Sequence, residues 1–150
     1  MIYKTLKRKF TLIEMLAVIS IIAILLALSV GVYSLVMTKM SNTRTQALLK
    51  KVEMAMCAYK NETGYYFQQG SLGPLTINSS DTDFIQFLNW TSMKNKGEIN
   101  ENNGYRLTDA WGKVILYQAP GSNNTTMFDL QSFGKDRVSG GGDDITNYSN

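Results

Sequence analysis

The sequence contains no histidine, one cysteine and two prolines among its 150 residues. The absence of histidine removes the commonest general base and excludes serine-histidine triads and the usual zinc sites. Cys57 is the single cysteine and cannot form an intrachain disulfide. An exported domain of this chain would therefore need another source of stability.

Acidic residues are absent from the first nine positions, MIYKTLKRK, where Lys4, Lys7, Arg8 and Lys9 lie. Removing these four from the 15 basic residues leaves 11 against 12 acidic ones, so the net charge of +3 comes from this leader. The remaining chain has no basic excess, which removes the support for nucleic-acid binding. Basic residues before an apolar segment instead keep that end in the cytoplasm and send the following part across the membrane.

A long apolar run extends from Phe10 to Thr38, and Glu14 is its only charged residue. As a helix it would measure about 44 Å, more than the ~30 Å hydrocarbon core of a bilayer. Its serine hydroxyls can bond to the preceding helical turn. The run therefore predicts a membrane-spanning helix in which Glu14 requires a cationic partner, because an unpaired carboxylate in lipid costs a few kcal/mol.

Beyond the apolar run, hydrophobic residues recur at spacings of three and four, as Leu48, Val52 and Tyr59 illustrate. The helix is predicted to continue to about residue 61, with Gly64 as its stop. The chain then divides into a leader of residues 1–9, a transmembrane helix of residues 10–38, and a head of residues 39–150 that includes the amphipathic half of the helix.

The rest of the head is polar and can bury only a small core. Residues 114–117 and 127–132 are predicted to form two strands, joined by the turn sequence APGSNNTT. Residues 133–150, FGKDRVSGGGDDITNYSN, are interpreted as too rich in glycine for a strand or a helix.

The run FTLIEML at residues 10–16, following a short basic leader, resembles the processing and assembly signature of type IV pilins and pseudopilins. The resemblance implies cleavage between Lys9 and Phe10 by a prepilin peptidase, followed by methylation of the new amino terminus. Lys9 stands where the family usually has glycine. The family places the equivalent of Glu14 near the methylated terminus of a neighbouring subunit, which would supply the missing cation for assembly.

Further segments are similar to those of the G-type major pseudopilin of the type II secretion system. NETGYY at residues 61–66 resembles the segment that closes the long helix, and DAWG at residues 109–112 resembles the segment that enters the sheet, each without the usual proline. The resemblance implies a pilin-like α+β fold. A long N-terminal helix, about residues 10–61 with its first half transmembrane, would pack on a small antiparallel sheet with a C-terminal calcium loop.

The calcium loop is suggested by three carboxylates within nine residues, between positions 136 and 144, beside three consecutive glycines. Ca²⁺ prefers six to eight oxygen ligands, which backbone carbonyls often complete. The alternative is a solvated tail with ordinary surface acids, and Lys135 and Arg137 would partly neutralise the loop. With the carbonyl ligands that the resemblance adds, the predicted ligands are Phe133, Asp136, Val138, Asp143 and Asp144.

These observations predict a structural subunit of a periplasmic pseudopilus that drives type II secretion, and not an enzyme. It would cross the inner membrane once, with a cytoplasmic N-terminus and a periplasmic C-terminal domain. The expected partners are other copies of the chain, minor pseudopilins, the inner-membrane assembly platform, prepilin peptidase and, before assembly, membrane lipid.

Two alternatives remain open. A type IV pilin for adhesion, motility or DNA uptake is disfavoured by the missing C-terminal cysteine pair and by the acidic glycine loop. A membrane-anchored calcium-dependent enzyme is disfavoured because the sequence offers no histidine and no plausible nucleophile pair.

Overall fold

The computed structural model describes residues 10–67, 70–77, 82–101 and 105–148, so the leader with Lys9 lies outside the described residues. Its contacts divide the chain into two units, Met1–Met37 and Thr38–Asn150. The helices are α1 (Leu12–Thr63), α2 (Thr82–Ile85) and α3 (Trp90–Asn95). The strands are β1 (Gly73–Pro74), β2 (Ile99–Asn100), β3 (Arg106–Leu107), β4 (Leu116–Gln118), β5 (Asp129–Ser132) and β6 (Ile145–Thr146).

Helix α1 confirms the predicted long helix and begins and ends two residues later than expected. Gly64 follows it with a φ of +86°, a left-handed conformation that glycine adopts without a side-chain clash. The Gly64 amide donates to the Lys60 carbonyl at 2.7 Å, which satisfies one of the last helical carbonyls. The structure therefore confirms the prediction that the helix stops at Gly64.

The first unit contains the apolar part of α1, which is long and apolar enough to span a membrane by length and composition. Each side chain between residues 10 and 37 whose exposure is described is exposed. The Ser20 hydroxyl donates to the Leu16 carbonyl at 2.7 Å, and the Ser29 hydroxyl donates to the Leu25 carbonyl at 2.8 Å. These hydroxyls are satisfied within the helix, as the sequence suggested.

The second unit contains an antiparallel sheet in the order β1-β4-β5-β6, together with the two-stranded ribbon β2-β3. Strands β4 and β5 lie within or close to the two predicted strands. The prediction that residues 133–150 contain no strand was wrong, because Ile145 and Thr146 form β6. The consecutive glycines end at Gly142, and the next apolar residue, Ile145, is buried against β5 opposite Ser132.

The core of this unit forms between one stripe of α1 and the sheet. Tyr59 lies on the stripe, and its ring packs edge-on against the rings of Phe67, Phe84 and Phe87. Fully burying an aliphatic or aromatic side chain contributes about 1.5–3 kcal/mol, so the loss of one such side chain would remove a large part of the stability of a small domain. The fully buried apolar residues include Val52, Met56, Leu75, Ile77, Leu107, Ile115, Tyr117, Phe128 and Leu130.

Candidate assembly segment and calcium loop

The N-terminus of α1 is closed by a reciprocal cap between Thr11 and Glu14. The Glu14 amide donates to Thr11 Oγ1 at 3.3 Å, while Glu14 Oε2 accepts from the Thr11 amide at 2.8 Å and from its hydroxyl at 2.9 Å. This is a capping box, and its Thr-x-x-Glu pattern at residues 11–14 is a local sequence signal for the start of a helix.

The cap uses only one oxygen of the Glu14 carboxylate. Glu14 Oε1 accepts no hydrogen bond from any residue in the described ranges. Phe10 is 75% exposed, and the predicted cleavage before it would leave both Thr11 and Glu14 in place. A processed helix would therefore keep the cap and still present a carboxylate oxygen without a partner.

The predicted calcium loop joins β5 to β6 and is closed by the pairing of Ser132 with Ile145. Its two ends approach closely at Gly134, where a Cβ atom would lie 2.2 Å from the Asp143 carbonyl oxygen. Asp143 Oδ2 accepts hydrogen bonds from the amides of Lys135 at 2.6 Å and Asp136 at 3.0 Å. The hydrogen bond from the Asp136 amide has the larger effect, and together the two bonds hold the pKa of Asp143 below its usual value.

The other two carboxylates are held by the loop as well. Asp136 Oδ1 accepts from the Val138 amide at 2.8 Å, and the same carboxylate lies where a Cβ of Gly141 would be. Asp144 Oδ2 accepts from the Gly140 amide at 2.9 Å and from Gln131 Nε2 at 3.0 Å. The loop therefore brings the three predicted acidic ligands into one hydrogen-bonded segment.

Two carboxylate oxygens in this loop are buried without a hydrogen-bond partner, namely Oδ1 of Asp143 and Oδ1 of Asp144. A buried unpaired oxygen is unfavourable, and oxygens of this kind are the ligands that Ca²⁺ prefers. Within the described part of the chain, no group of three or more acidic or thiol side chains lies close enough together to hold a metal ion. A calcium site here would therefore need backbone carbonyls, and the predicted Phe133 and Val138 lie in the same loop.

A sequence model of the family described as type II secretion system (T2SS), protein G, matches residues 35–148. The chain belongs to this family. A comparison with curated proteins finds no match. The family assignment confirms the predicted resemblance to a G-type pseudopilin, which is a structural component of the type II secretion pseudopilus and does not belong to a known class of enzymes.

The basic residues of the pseudopilin loop lower its net negative charge, as the sequence indicates, but do not pair directly with its acids. Neither Lys135 nor Arg137 forms an ion pair with a carboxylate of any described residue. Arg137 adopts a φ of +64° and its Nη2 donates to the Trp111 carbonyl at 2.7 Å. The guanidinium group therefore binds the DAWG segment.

Sequence reasoning missed the buried acid of that segment, Asp109, which is 4% exposed. Its Oδ1 accepts from the amides of Trp111 at 3.0 Å and Lys113 at 2.8 Å, and its Oδ2 accepts from the Ser132 hydroxyl at 2.7 Å. In the sequence, the DAWG run indicates only a family resemblance. An acid followed by a glycine three residues later is a turn signal that indicates the local bonds, but not the contact with Ser132.

Proposed function

We propose that this pseudopilin polymerises through the N-terminal part of α1 into a periplasmic pseudopilus that drives type II secretion. In this proposal a prepilin peptidase cleaves the precursor between Lys9 and Phe10. The chain crosses the inner membrane once, with a cytoplasmic amino terminus and a periplasmic C-terminal domain. Minor pseudopilins and an inner-membrane assembly platform are the other partners, and lipid surrounds the helix before assembly. The family assignment and the exposed apolar helix support this proposal.

The observation that carries the proposal is that hydrogen bonds within the described chain use only one oxygen of the Glu14 carboxylate. Its capping bonds lower the cost of the charge but do not neutralise it, and Oε1 is left without a partner in the described chain. A charge in lipid costs a few kcal/mol. The methylated amino terminus of a neighbouring subunit would remove this cost only in the assembled register.

Two substitutions separate the charge of Glu14 from its capping role. Glu14→Gln keeps an amide oxygen that can accept from the Thr11 amide but removes the charge. Thr11→Val removes the hydroxyl cap, at a cost of about 1 kcal/mol, and keeps the charge. If the charge drives assembly, Glu14→Gln reduces filament yield at least ~10-fold, because 1.4 kcal/mol corresponds to a factor of ten, whereas Thr11→Val assembles nearly as well as the parent.

Filament yield is measured by electron microscopy of membranes that contain the secretion machinery, after the precursor level has been matched. Mass spectrometry of the amino terminus checks that each variant is cleaved before Phe10 and methylated. If Glu14→Gln assembles as readily as the parent, assembly through this charge is refuted. Reduced assembly in Thr11→Val alone would assign Glu14 a purely local capping role.

We further propose that the loop between β5 and β6 binds Ca²⁺. The ion would be held by the carboxylates of Asp136, Asp143 and Asp144 and by the carbonyls of Phe133 and Val138. Bound Ca²⁺ would supply positive charge and oxygen coordination that fix a loop with too little apolar burial to order itself. The two buried, unpaired carboxylate oxygens support this assignment.

A further inference from the structure

The DAWG segment and the start of the proposed calcium loop are joined by a short chain of buried hydrogen bonds. Asp109 Oδ2 accepts from the Ser132 hydroxyl at 2.7 Å, and Ser132 Oγ accepts from the Gly134 amide at 3.2 Å. Ser132 is 0% exposed and Asp109 is 4% exposed. Water therefore does not compete for these bonds, and the geometry of the hydroxyl is set by its protein partners.

The Gly134 amide shares one planar peptide unit with the Phe133 carbonyl. A bond that fixes the direction of the amide N–H therefore also fixes the direction of that carbonyl. The Phe133 carbonyl is one of the proposed calcium ligands. Its orientation thus depends on Ser132, and the orientation of the Ser132 hydroxyl depends in turn on Asp109.

The DAWG segment that carries Asp109 is itself held by hydrogen bonds to other parts of the fold. The Ala110 amide donates to the hydroxyl of Thr45 on α1 at 3.2 Å, and Thr45 is 0% exposed. Arg137, inside the loop, bonds to the Trp111 carbonyl at 2.7 Å. The segment is therefore bonded to α1 through Thr45, to the end of β5 through Ser132, and to the loop through Arg137.

We propose that Asp109 and Ser132 are positioning residues for calcium, which hold the Phe133 carbonyl in the direction that the ion requires. This inference rests on the proposed calcium site. Residues that orient the direct ligands of a metal typically contribute a factor of 10–100 to its affinity.

Asp129 provides a matched control within the same strand. It is 2% exposed, lies at the start of β5, and accepts from the amides of Asn123 and Asn124, each at 2.8 Å. It is thus a second buried acid that organises a turn, but its turn joins β4 to β5 and is not part of the proposed calcium loop. Loss of its charge should lower stability without changing calcium affinity.

The experiment measures the calcium dissociation constant of the full chain in detergent micelles by isothermal titration with CaCl₂. Ser132→Ala removes the acceptor of the Gly134 amide and should weaken binding ~10-fold or more. Asp109→Asn keeps Oδ1 for the turn but places Nδ2, a donor, against Ser132. Nδ2 would then compete with the Gly134 amide for Ser132 Oγ, so this variant should weaken binding in the same direction. Asp109→Asn also provides a second test of the proposal if Ser132→Ala does not fold.

The double variant Asp109→Asn/Ser132→Ala should bind no more weakly than Ser132→Ala alone, because both changes break one chain of bonds. Asp129→Asn should keep the parental affinity. Equal affinity in all variants and the parent would overturn the positioning role alone. Equal weakening in Asp129→Asn would also overturn it, since general destabilisation would then suffice. Absence of calcium binding by the parent would overturn the calcium site and this inference together.

Discussion

The proposed calcium loop makes the stability of the head depend on calcium concentration. An ion that binds only the folded state stabilises it by RT ln(1 + [Ca²⁺]/Kd), which is about 2.7 kcal/mol at a hundred times Kd. The second unit, Thr38–Asn150, contains about 110 residues. For a unit of this size 1 kcal/mol shifts the melting temperature by roughly 4 °C, so saturating calcium should raise it by about 10 °C over a chelator-treated sample.

The assay is scanning calorimetry of the full chain in detergent micelles, with either chelator or excess calcium. Asp143→Asn should abolish the shift, because it removes the charge of a carboxylate whose Oδ1 is buried and unpaired. Asp129→Asn should melt at a lower temperature in both samples and keep the parental shift. Magnesium should not replace calcium, because it demands octahedral geometry and retains its waters.

Two results would refute this reasoning in different ways. A parental melting temperature that is the same in chelator and in calcium would exclude a calcium site that is coupled to folding. A full calcium shift in Asp143→Asn would keep the site but show that its ligands are wrongly assigned.

Two further predictions concern the loop and the packing of α1. Gly134→Ala should lower the melting temperature more than Gly140→Ala. Both glycines have a positive φ, so an alanine at either position would incur about 1–2 kcal/mol of backbone strain. Only at Gly134 would the new Cβ also meet a backbone carbonyl oxygen, that of Asp143 at 2.2 Å. Equal losses in thermal scans would contradict the close approach. Lys51→Met should lower the free energy of unfolding in urea by up to about 1 kcal/mol, whereas Lys50→Met should leave it nearly unchanged. The reason is that the ion pair of Lys51 with Glu98 is less exposed than the ion pair of Lys50 with Glu53. Equal urea midpoints would show that this burial has no effect.

The sequence predicted α1 well because the physical signals along it are strong and local. An uninterrupted apolar run and the three-and-four spacing of Leu48, Val52 and Tyr59 persist over many turns, and Gly64 marks the end. Each of these three side chains is buried in the core as the spacing requires. The capping box at Thr11 was equally local and could have been read from its four-residue pattern.

The short strands could not be predicted in the same way. Strands β1, β2, β3 and β6 each contain two residues, which is too few for an alternating pattern of apolar and polar side chains. They exist because neighbouring backbone groups pair with them, as β6 pairs with β5. Such pairing depends on the tertiary fold and leaves little trace in composition.

The candidate calcium site likewise has one part that can be predicted from the sequence and another part that cannot. Its acids lie within nine residues and were found from spacing, together with a family resemblance. Asp109 lies 23 residues from Ser132 in the sequence, and no local pattern connects them. The part of the site that would bind the ion is encoded locally, whereas the part that would orient it is created by folding.

Glu14, Asp143 and Asp144 share one feature that links the two proposed functions. In each carboxylate, Oδ2 or Oε2 is used by hydrogen bonds within the chain, while the other oxygen has no partner among the described residues. Internal bonds fix the direction of each group, so its unpaired oxygen is presented in a defined orientation at little further entropic cost. This arrangement suits carboxylates that bind cations from outside the chain, an amino terminus at Glu14 and Ca²⁺ at Asp143 and Asp144. If both proposals hold, the folded subunit would be electrostatically incomplete by itself, and a neighbouring subunit and Ca²⁺ would each supply a missing positive charge.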